Sequence, residues 1–261
     1  LLEPIVEACH YLLNNFPTAE EAKKYINDRL TEHSQELFKF GYFPRADQMD
    51  VLFNMVDIDV VKKNRLCYSK TISDAWCQRD LIFSYFENYP LILPFKNAYG
   101  DVVALVGRTL LPEVEYKAQN ISKYKNTIFT KGNHLFGLFE NKNNILEKDC
   151  VIIVEGQLDV IKGLEHGIDN IVALGNSNMT AYQFSLITRY TENIFVLLDN
   201  DEAGLKGRKL IHKKFGKHAK VTDLYLSPQY KDIDEYLSKN KNIRSFNDIC
   251  FEDRVSEEEN I

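Results

Sequence analysis

No apolar run in this sequence approaches the roughly 18 residues that a membrane span requires. A signal peptide is missing too. The opening LLEPIVEACHYLL has no basic leading region and no small-residue cleavage site, carries Glu3 and Glu7, and reads as a helix. Cysteine pairs are absent: Cys9, Cys67, Cys77, Cys150 and Cys250 are scattered without a Cys-x-x-Cys spacing. That argues against zinc in this chain and for reduced thiols in a cytosolic protein. The six histidines are dispersed and give little support to His-rich metal chemistry. Positive charge is not in excess, with 32 Lys+Arg against 38 Asp+Glu and a net charge of −6. Proteins that grip duplex DNA alone are usually basic, because phosphate neutralisation supplies most non-specific affinity. Weak nucleic-acid affinity is expected overall, alongside room for a locally basic groove. The chain opens with Leu1 rather than Met and reads as a piece of a longer protein.

What is present is an ordinary globular composition, 44% hydrophobic and 27% charged over 261 residues, enough for one large or two small cores. Residues 1–90 read as mostly helical, with a Thr18/Glu21 capping box ahead of one helix and a break at GYFPR (41–45) before another. From about 91 the period changes. LILPF (91–95), a turn at NAYGD and VVALVGRTL (102–110) predict a strand–turn–strand hairpin, followed by a polar loop over 115–134. The polar NKNNILEKD (141–149) reads as a surface helix or linker. From 151 to 227 strands and helices alternate: strand 151–154, helix 157–166, strand 170–174, a helix opened by a Thr180/Gln183 capping box, strand 194–198, helix 203–215 and strand 220–226. This βαβ series implies a small parallel sheet. The last stretch, 241–261, ends in the acidic RVSEEEN and reads as a frayed tail.

Two apolar runs, VIIVEGQLDV (151–160) and IFVLLDNDEAG (194–204), end abruptly in Glu155 and Asp159, and in Asp199 and Asp201. As buried parallel strands they place these carboxylates at strand carboxyl ends, where α/β folds hold their active sites. Converging carboxylates repel one another unless a cation neutralises them, and hard oxygen donors point to Mg²⁺ or Mn²⁺. Asp199 and Asp201, two apart on an extended segment, project to the same side. A calcium loop of EF-hand type fails, because Ala203 and Leu210 stand at its fifth and twelfth positions. By residues alone the site is one for metal-dependent phosphoryl transfer.

EGQLD (155–159), ALG (173–175) and DNDEAG (199–204) resemble the TOPRIM module of bacterial-type primases, topoisomerases and some nucleases. LPFKNAYGDVVALVGRTL followed by SKYKNTIFTKGNHLFGLFE resembles the core of the bacterial, DnaG-type primase. So do YINDRLTEHSQELFKFGYFP (25–44) and KDIDEYL (231–237), in the family's order. The resemblance covers roughly residues 10–240. It implies an α/β fold: a mixed α/β N-terminal domain over 1–147, a TOPRIM domain over 148–240 with a small parallel sheet flanked by helices, and a tail from 241. Glu155 would be the leading catalytic acid, supported by Asp159. Asp199, Asp201, Asp232 and Asp234 would be metal-binding carboxylates holding two or more Mg²⁺ or Mn²⁺ ions. Arg29, Arg108, Lys123, Asn126 and Lys131 would form the nucleotide and template face.

The implied activity is synthesis of short RNA primers on single-stranded DNA from ribonucleoside triphosphates by two-metal nucleotidyl transfer. The replicative helicase would be engaged through regions outside this chain, at a cytoplasmic replication fork, with no membrane partner. Alternatives are a TOPRIM nuclease or topoisomerase-like phosphodiesterase, and a catalytically silent replisome-binding module. Simpler roles exist for some residues: Asp232 and Asp234 can cap the following helix, and Lys123, Lys125 and Lys131 can be a solvated loop. The sequence departs from the family in lacking its zinc-binding domain, and FENYP (86–90) stands where Arg is expected before the hairpin.

Overall fold

A computed structural model describes residues 2–73 and 78–252. The chain forms two compact units, one of Leu1–Phe95 with Val102–Phe129, the other of Lys96–Asp101 with Thr130–Ile261.

In the first unit, α1 (Glu3–Asn15) starts with Pro in its first turn and buries Ile5, Val6, Cys9, Leu12 and Leu13, the stripe expected of a one-sided helix. The Thr18/Glu21 capping box does not form. Pro17–Ala19 make a 3₁₀ turn instead, and α2 (Glu20–Asn27) follows without a side-chain cap. Pro17, with its fixed φ, starts the turn early, and the Thr18 hydroxyl lies beside Tyr42 Oη and Gln48 Oε1. Helices α3 (Glu32–Leu37), α4 (Asp50–Phe53) and α5 (Ile58–Lys63) flank β1 (Gly41–Tyr42). The mostly helical expectation for residues 1–90 then fails, because β2 (Cys67–Ser73) and β3 (Gln78–Ser84) pair as an antiparallel ribbon. The predicted hairpin is present as β4 (Leu91–Lys96) and β5 (Val102–Arg108), and α6 (Glu113–Ala118) leads to β6 (Tyr124–Asn126). These strands make a four-stranded sheet in the order β1-β4-β5-β6 over buried Phe43, Phe86, Phe95 and Leu105.

The second unit realises the alternating pattern. Helix α7 (Leu138–Lys148) precedes β7 (Val151–Val154), α8 (Gln157–Glu165), β8 (Ile171–Ala173), α9 (Ala181–Ile187), β9 (Asn193–Val196), α10 (Glu202–Phe215), β10 (Lys220–Asp223) and α11 (Ile233–Lys239). All four strands run parallel in the order β10-β9-β7-β8. The core gathers Leu138, Ile145, Ile153, Val172, Leu174, Val196, Leu198 and Ile211, so the near-continuous apolar strands are buried as a parallel sheet requires. The Thr180/Gln183 capping box forms in both directions. The expected α/β class, with a small parallel sheet and helices, is thus what the chain adopts.

Residues 241–252 pack on this unit rather than fray: Phe246 lies 5.8 Å from Phe195, and the Glu252 amide donates to the Tyr225 carbonyl. RVSEEEN and Cys77 lie outside the described residues. The other four cysteines are free thiols. Among the described residues no helix is long and apolar enough to cross a membrane.

Candidate active site

The chain leaves β7 for β8 on one side and returns to β9 on the other. Such a reversal opens a crevice at the carboxyl ends of the two strands, the general location of ligand sites in open parallel sheets. Glu155 follows β7 directly, and Asp199 follows the apolar run that continues β9. Their approach is set by backbone, with the Asp199 amide donating to Glu155 Oε1 at 3.3 Å. Asp201 caps α10, its Oδ1 accepting from the Gly204 amide at 2.9 Å. Gly204 is required here, since a Cβ would lie 2.0 Å from the Asp199 carbonyl oxygen.

This packing concentrates like charge. Burial, with Asp199 and then Asp201 nearby, pushes the Glu155 carboxyl up to about 7 against the amide hydrogen bond and Lys231, which lower it. Burial also raises Asp199, with Asp232 and Asp201 adding to the rise and Lys231 opposing it. Lys231 Nζ lies 2.8 Å from Asp199 Oδ2 and 3.8 Å from Asp232 Oδ2, and its own ionisation is pushed up chiefly by the hydrogen bond to Asp199. Sequence reasoning singled out the acids of KDIDEYL and passed over this lysine. The signal that could have found it is the charge opposite to every other ionisable group of the cluster. Asn200 brings it there: its side chain donates to the Leu226 and Tyr230 carbonyls, and its amide to the Lys231 carbonyl.

The other predicted acids have structural ties. Asp159 is buried, and its two oxygens accept from the Gly156 amide at 2.9 Å and the Asp234 amide at 3.2 Å. Burial raises its carboxyl well above the ordinary range, with Asp232 and Asp199 adding to the rise. Asp232 caps α11 by accepting from the Glu235 amide at 2.8 Å. Asp234, in the first turn of α11, is half-buried.

Lys131 belongs to the same end of the sheet. Its Nζ lies 3.4 Å from the Gly175 carbonyl, and the Gly175 amide in turn donates to the Glu155 carbonyl. Gly175 has φ +81°, and a Cβ there would meet the Lys131 stem at 2.7 Å. The Lys131 segment is stitched down by three contacts. Phe136 bridges Ala173 at the edge of β8, Thr180 Oγ1 donates to the Gly132 carbonyl, and Gln183 Nε2 donates to the His134 carbonyl.

Arg29, Arg108 and Lys123 gather in the first unit around two tyrosines, and Asn126 lies on β6 opposite Val106. The Arg108 guanidinium lies 4.9 Å from the Tyr124 ring and 5.6 Å from that of Tyr25, and Arg29 lies 5.0 Å from Tyr25. Lys123 Nζ is 5.7 Å from the Tyr124 ring. Cation–π contacts set these groups beside the two rings. Arg108 Nε and Nη1, Asn126 Oδ1 and Tyr25 Oη are buried without hydrogen-bond partners among the described residues, the state expected of a site built for a polar ligand.

Among the described residues, no three His, Cys, Asp or Glu side chains are already drawn together as a metal-binding group. In kind, however, the donors fit a hard divalent cation: Glu155, Asp199 and Asp201 offer carboxylate oxygens whose mutual repulsion Lys231 partly offsets.

The family described as "DNA primase catalytic core, N-terminal domain" matches residues 10–142, and the Toprim-like family matches 152–237. The chain is 27% identical over 236 residues to the DNA primase of Aquifex aeolicus, covering 88% of this chain and 45% of the relative. It is 30% identical over 241 residues to that of Clostridium acetobutylicum, covering 90% and 38%. The crystal structure of the zinc-binding and RNA polymerase domains of Aquifex aeolicus primase superposes with a TM-score of 0.72 at 26% identity, over 91% of this chain and 56% of that one. The chain spans less than half the length of the curated relatives it matches. With the primase catalytic-core family covering the first half and the Toprim-like family the parallel sheet, and with DNA primases as relatives along most of its length, the chain belongs to the bacterial, DnaG-type DNA primase family.

Proposed function

We propose that this chain is the polymerising core of a primase, joining ribonucleoside triphosphates into short RNA primers on a single-stranded DNA template. The observation that carries the reading is the cluster of half-buried Glu155 and Asp199 with exposed Asp201 at the switch point of the parallel sheet, the Glu155 carboxyl being pushed up to about 7. Carboxylates forced together in this way favour divalent cations, and Glu155, Asp199 and Asp201 are the residues that would hold Mg²⁺ or Mn²⁺. Two such ions, when bound, supply activation of the primer 3′-hydroxyl and neutralisation of the leaving pyrophosphate.

The remaining work belongs to the protein's own groups. Glu155, at the end of β7, is placed to hold a cation or to accept the 3′-hydroxyl proton. Lys231 holds Asp199 in place and limits the charge of the cluster. Asp159, Asp232 and Asp234 fix the Gly156 turn against the start of α11, which keeps the acids in register. Arg108, Arg29, Lys123 and Asn126 supply donors and charge for triphosphate and template, with Arg108 offering a planar fork suited to phosphate oxygens. Lys131, tied to the Gly175 carbonyl, adds positive charge at the end of the sheet. The same reading places the protein in the cytoplasm at the replication fork, with the helicase contacted by regions outside this chain.

The test is incorporation of labelled ribonucleotide on single-stranded DNA with Mg²⁺ or Mn²⁺. Glu155→Gln, or Asp199→Asn with Asp201→Asn, should lower incorporation at least a hundredfold while the far-ultraviolet circular dichroism stays unchanged. Wild-type synthesis by these variants would refute the site. Template cleavage without added nucleotides would favour a nuclease.

A further inference from the structure

The β2–β3 ribbon has two unlike faces. Its register pairs Tyr68 with Phe83, Lys70 with Leu81 and Ile72 with Arg79, so these six side chains share one face, and Tyr85 continues it beyond β3. The other face carries Ser69, Thr71, Ser73, Gln78, Asp80 and Ile82, with Thr71 bonded to Asp80 at 2.6 Å. Both faces are open: Ser69, Thr71, Ser73, Gln78 and Asp80 are exposed on the polar one, and the apolar one is not covered either. Tyr68 is 40% exposed, Ile72 37%, Leu81 36% and Tyr85 43%. A ribbon that only had to remain soluble would not leave aromatic and aliphatic side chains open beside its Ser and Thr.

The rings on this face form an ordered platform. Tyr68 and Phe83 lie nearly parallel with centroids 5.1 Å apart, and Tyr85 is 5.0 Å from Tyr68. Lys125 Nζ stands 5.8 Å from both the Tyr85 and Tyr89 rings, at the base of the ribbon. Among the described residues of the face the ionised groups are cations, Lys70 and Arg79, in a protein of net charge −6. Rings interleaved with cations, with no carboxylate among the described residues of the same face, match a single-stranded nucleic acid, whose bases stack on aromatics while its phosphates meet Lys and Arg. A protein partner of ordinary polarity would not call for this one-signed charge.

We propose that the Tyr68–Phe83–Tyr85 face of the ribbon is a stacking platform for single-stranded DNA, with Lys70, Arg79 and Lys125 contacting its phosphates. This rests on the polymerase reading for the presence of a template, and adds a site for it outside the Arg108 cluster. It also accounts for template binding by an acidic chain in which FENYP replaces basic residues: stacking depends less on charge than a phosphate-only groove does.

The experiment titrates the chain into fluorescein-labelled oligo(dT) and into a length-matched abasic oligomer, and follows anisotropy. The wild type should bind oligo(dT) about tenfold or more tightly than the abasic strand. The Tyr68→Ser, Tyr85→Ser double variant should lose that discrimination, whereas Tyr68→Phe with Tyr85→Phe should keep it. In parallel, 5-iododeoxyuridine in the oligomer should photo-crosslink to Tyr68 or Tyr85 in the unaltered protein, a readout independent of how the variants fold. Three results would overturn the proposal: equal affinity for the two strands, crosslinks confined to other residues, or a ribbon-dependent dimer in sedimentation. If the wild type discriminates bases yet incorporates no ribonucleotide, the platform stands and the polymerase reading falls. If it incorporates ribonucleotides but shows no discrimination, the platform alone falls.

Discussion

Replacing Glu155 by Gln should make the cation-free protein more stable above neutral pH while removing its chemistry. The amide oxygen can still accept from the Asp199 backbone amide, which meets Glu155 at 3.3 Å, so the geometry survives. What is lost is a carboxyl raised from 4.5 to about 7. Because the folded value is the higher one, the folded protein binds more protons than the unfolded chain between these two values. Stability contributed by this carboxyl is complete below about 4.5, declines as pH rises and is gone above about 7. Such a rise corresponds to at most ~3 kcal/mol. Glu155 is only half-buried, and solvent screening reduces this to about 1–2 kcal/mol. In EDTA, melting curves followed by circular dichroism should therefore show the Gln variant gaining about 3–6 °C on the wild type between pH 5 and pH 8. Added Mg²⁺ should return the advantage to the wild type, since a cation favours the ionised carboxylate. Parallel pH profiles for the two proteins would refute the argument that this carboxyl is held against its preferred charge state.

Two further substitutions separate support from contact with substrate. Asp159→Ala would leave the half-buried Gly156 and Asp234 amides without their acceptor, costing about 1 kcal/mol after relief of the buried carboxyl, with an equal fall in Tm with and without Mg²⁺; a loss seen only with Mg²⁺ would make Asp159 a cation ligand instead. Arg108→Lys keeps the charge but loses the planar fork stacked between Tyr25 and Tyr124, and should raise KM for ribonucleotides about tenfold with little change in melting; an unchanged KM would remove Arg108 from the nucleotide face.

The parallel sheet was legible because VIIV, IVAL and IFVLL are buried on both faces, a pattern few other structures produce. The acids at the ends of those runs were legible for the same reason: a charge directly after a buried strand has few places to go. The ribbon at 67–84 was not, because it has no face turned to a core. Tyr68, Lys70 and Ile72 alternate with Ser69, Thr71 and Ser73, so aromatic, cationic and aliphatic residues share a face and blur the contrast by which strands are recognised. Thr18 misled for a local reason, Pro17 having claimed the turn. Lys231 was hidden because its role depends on a contact 32 positions away in sequence, delivered by the Asn200 side chain. The stacking of Arg29 and Arg108 on Tyr25 likewise joins residues from α2 and β5 that share no periodic signature.

The strip from Lys131 to Phe136, described above for the lysine it carries, also guards the sheet. An edge strand offers unpaired amides and carbonyls to any other extended chain. At β8 this invitation is withdrawn by the chain itself: the Phe136 amide donates to the Ala173 carbonyl and the Ala173 amide returns the bond, while Gln183 locks the neighbouring His134 carbonyl. The segment that brings a cation to the end of the sheet is therefore also its protection against self-association. Cutting the chain at the start of β7 would remove both together, along with Leu135, Leu138 and Ile145 from the core, leaving a sticky sheet in place of a working one.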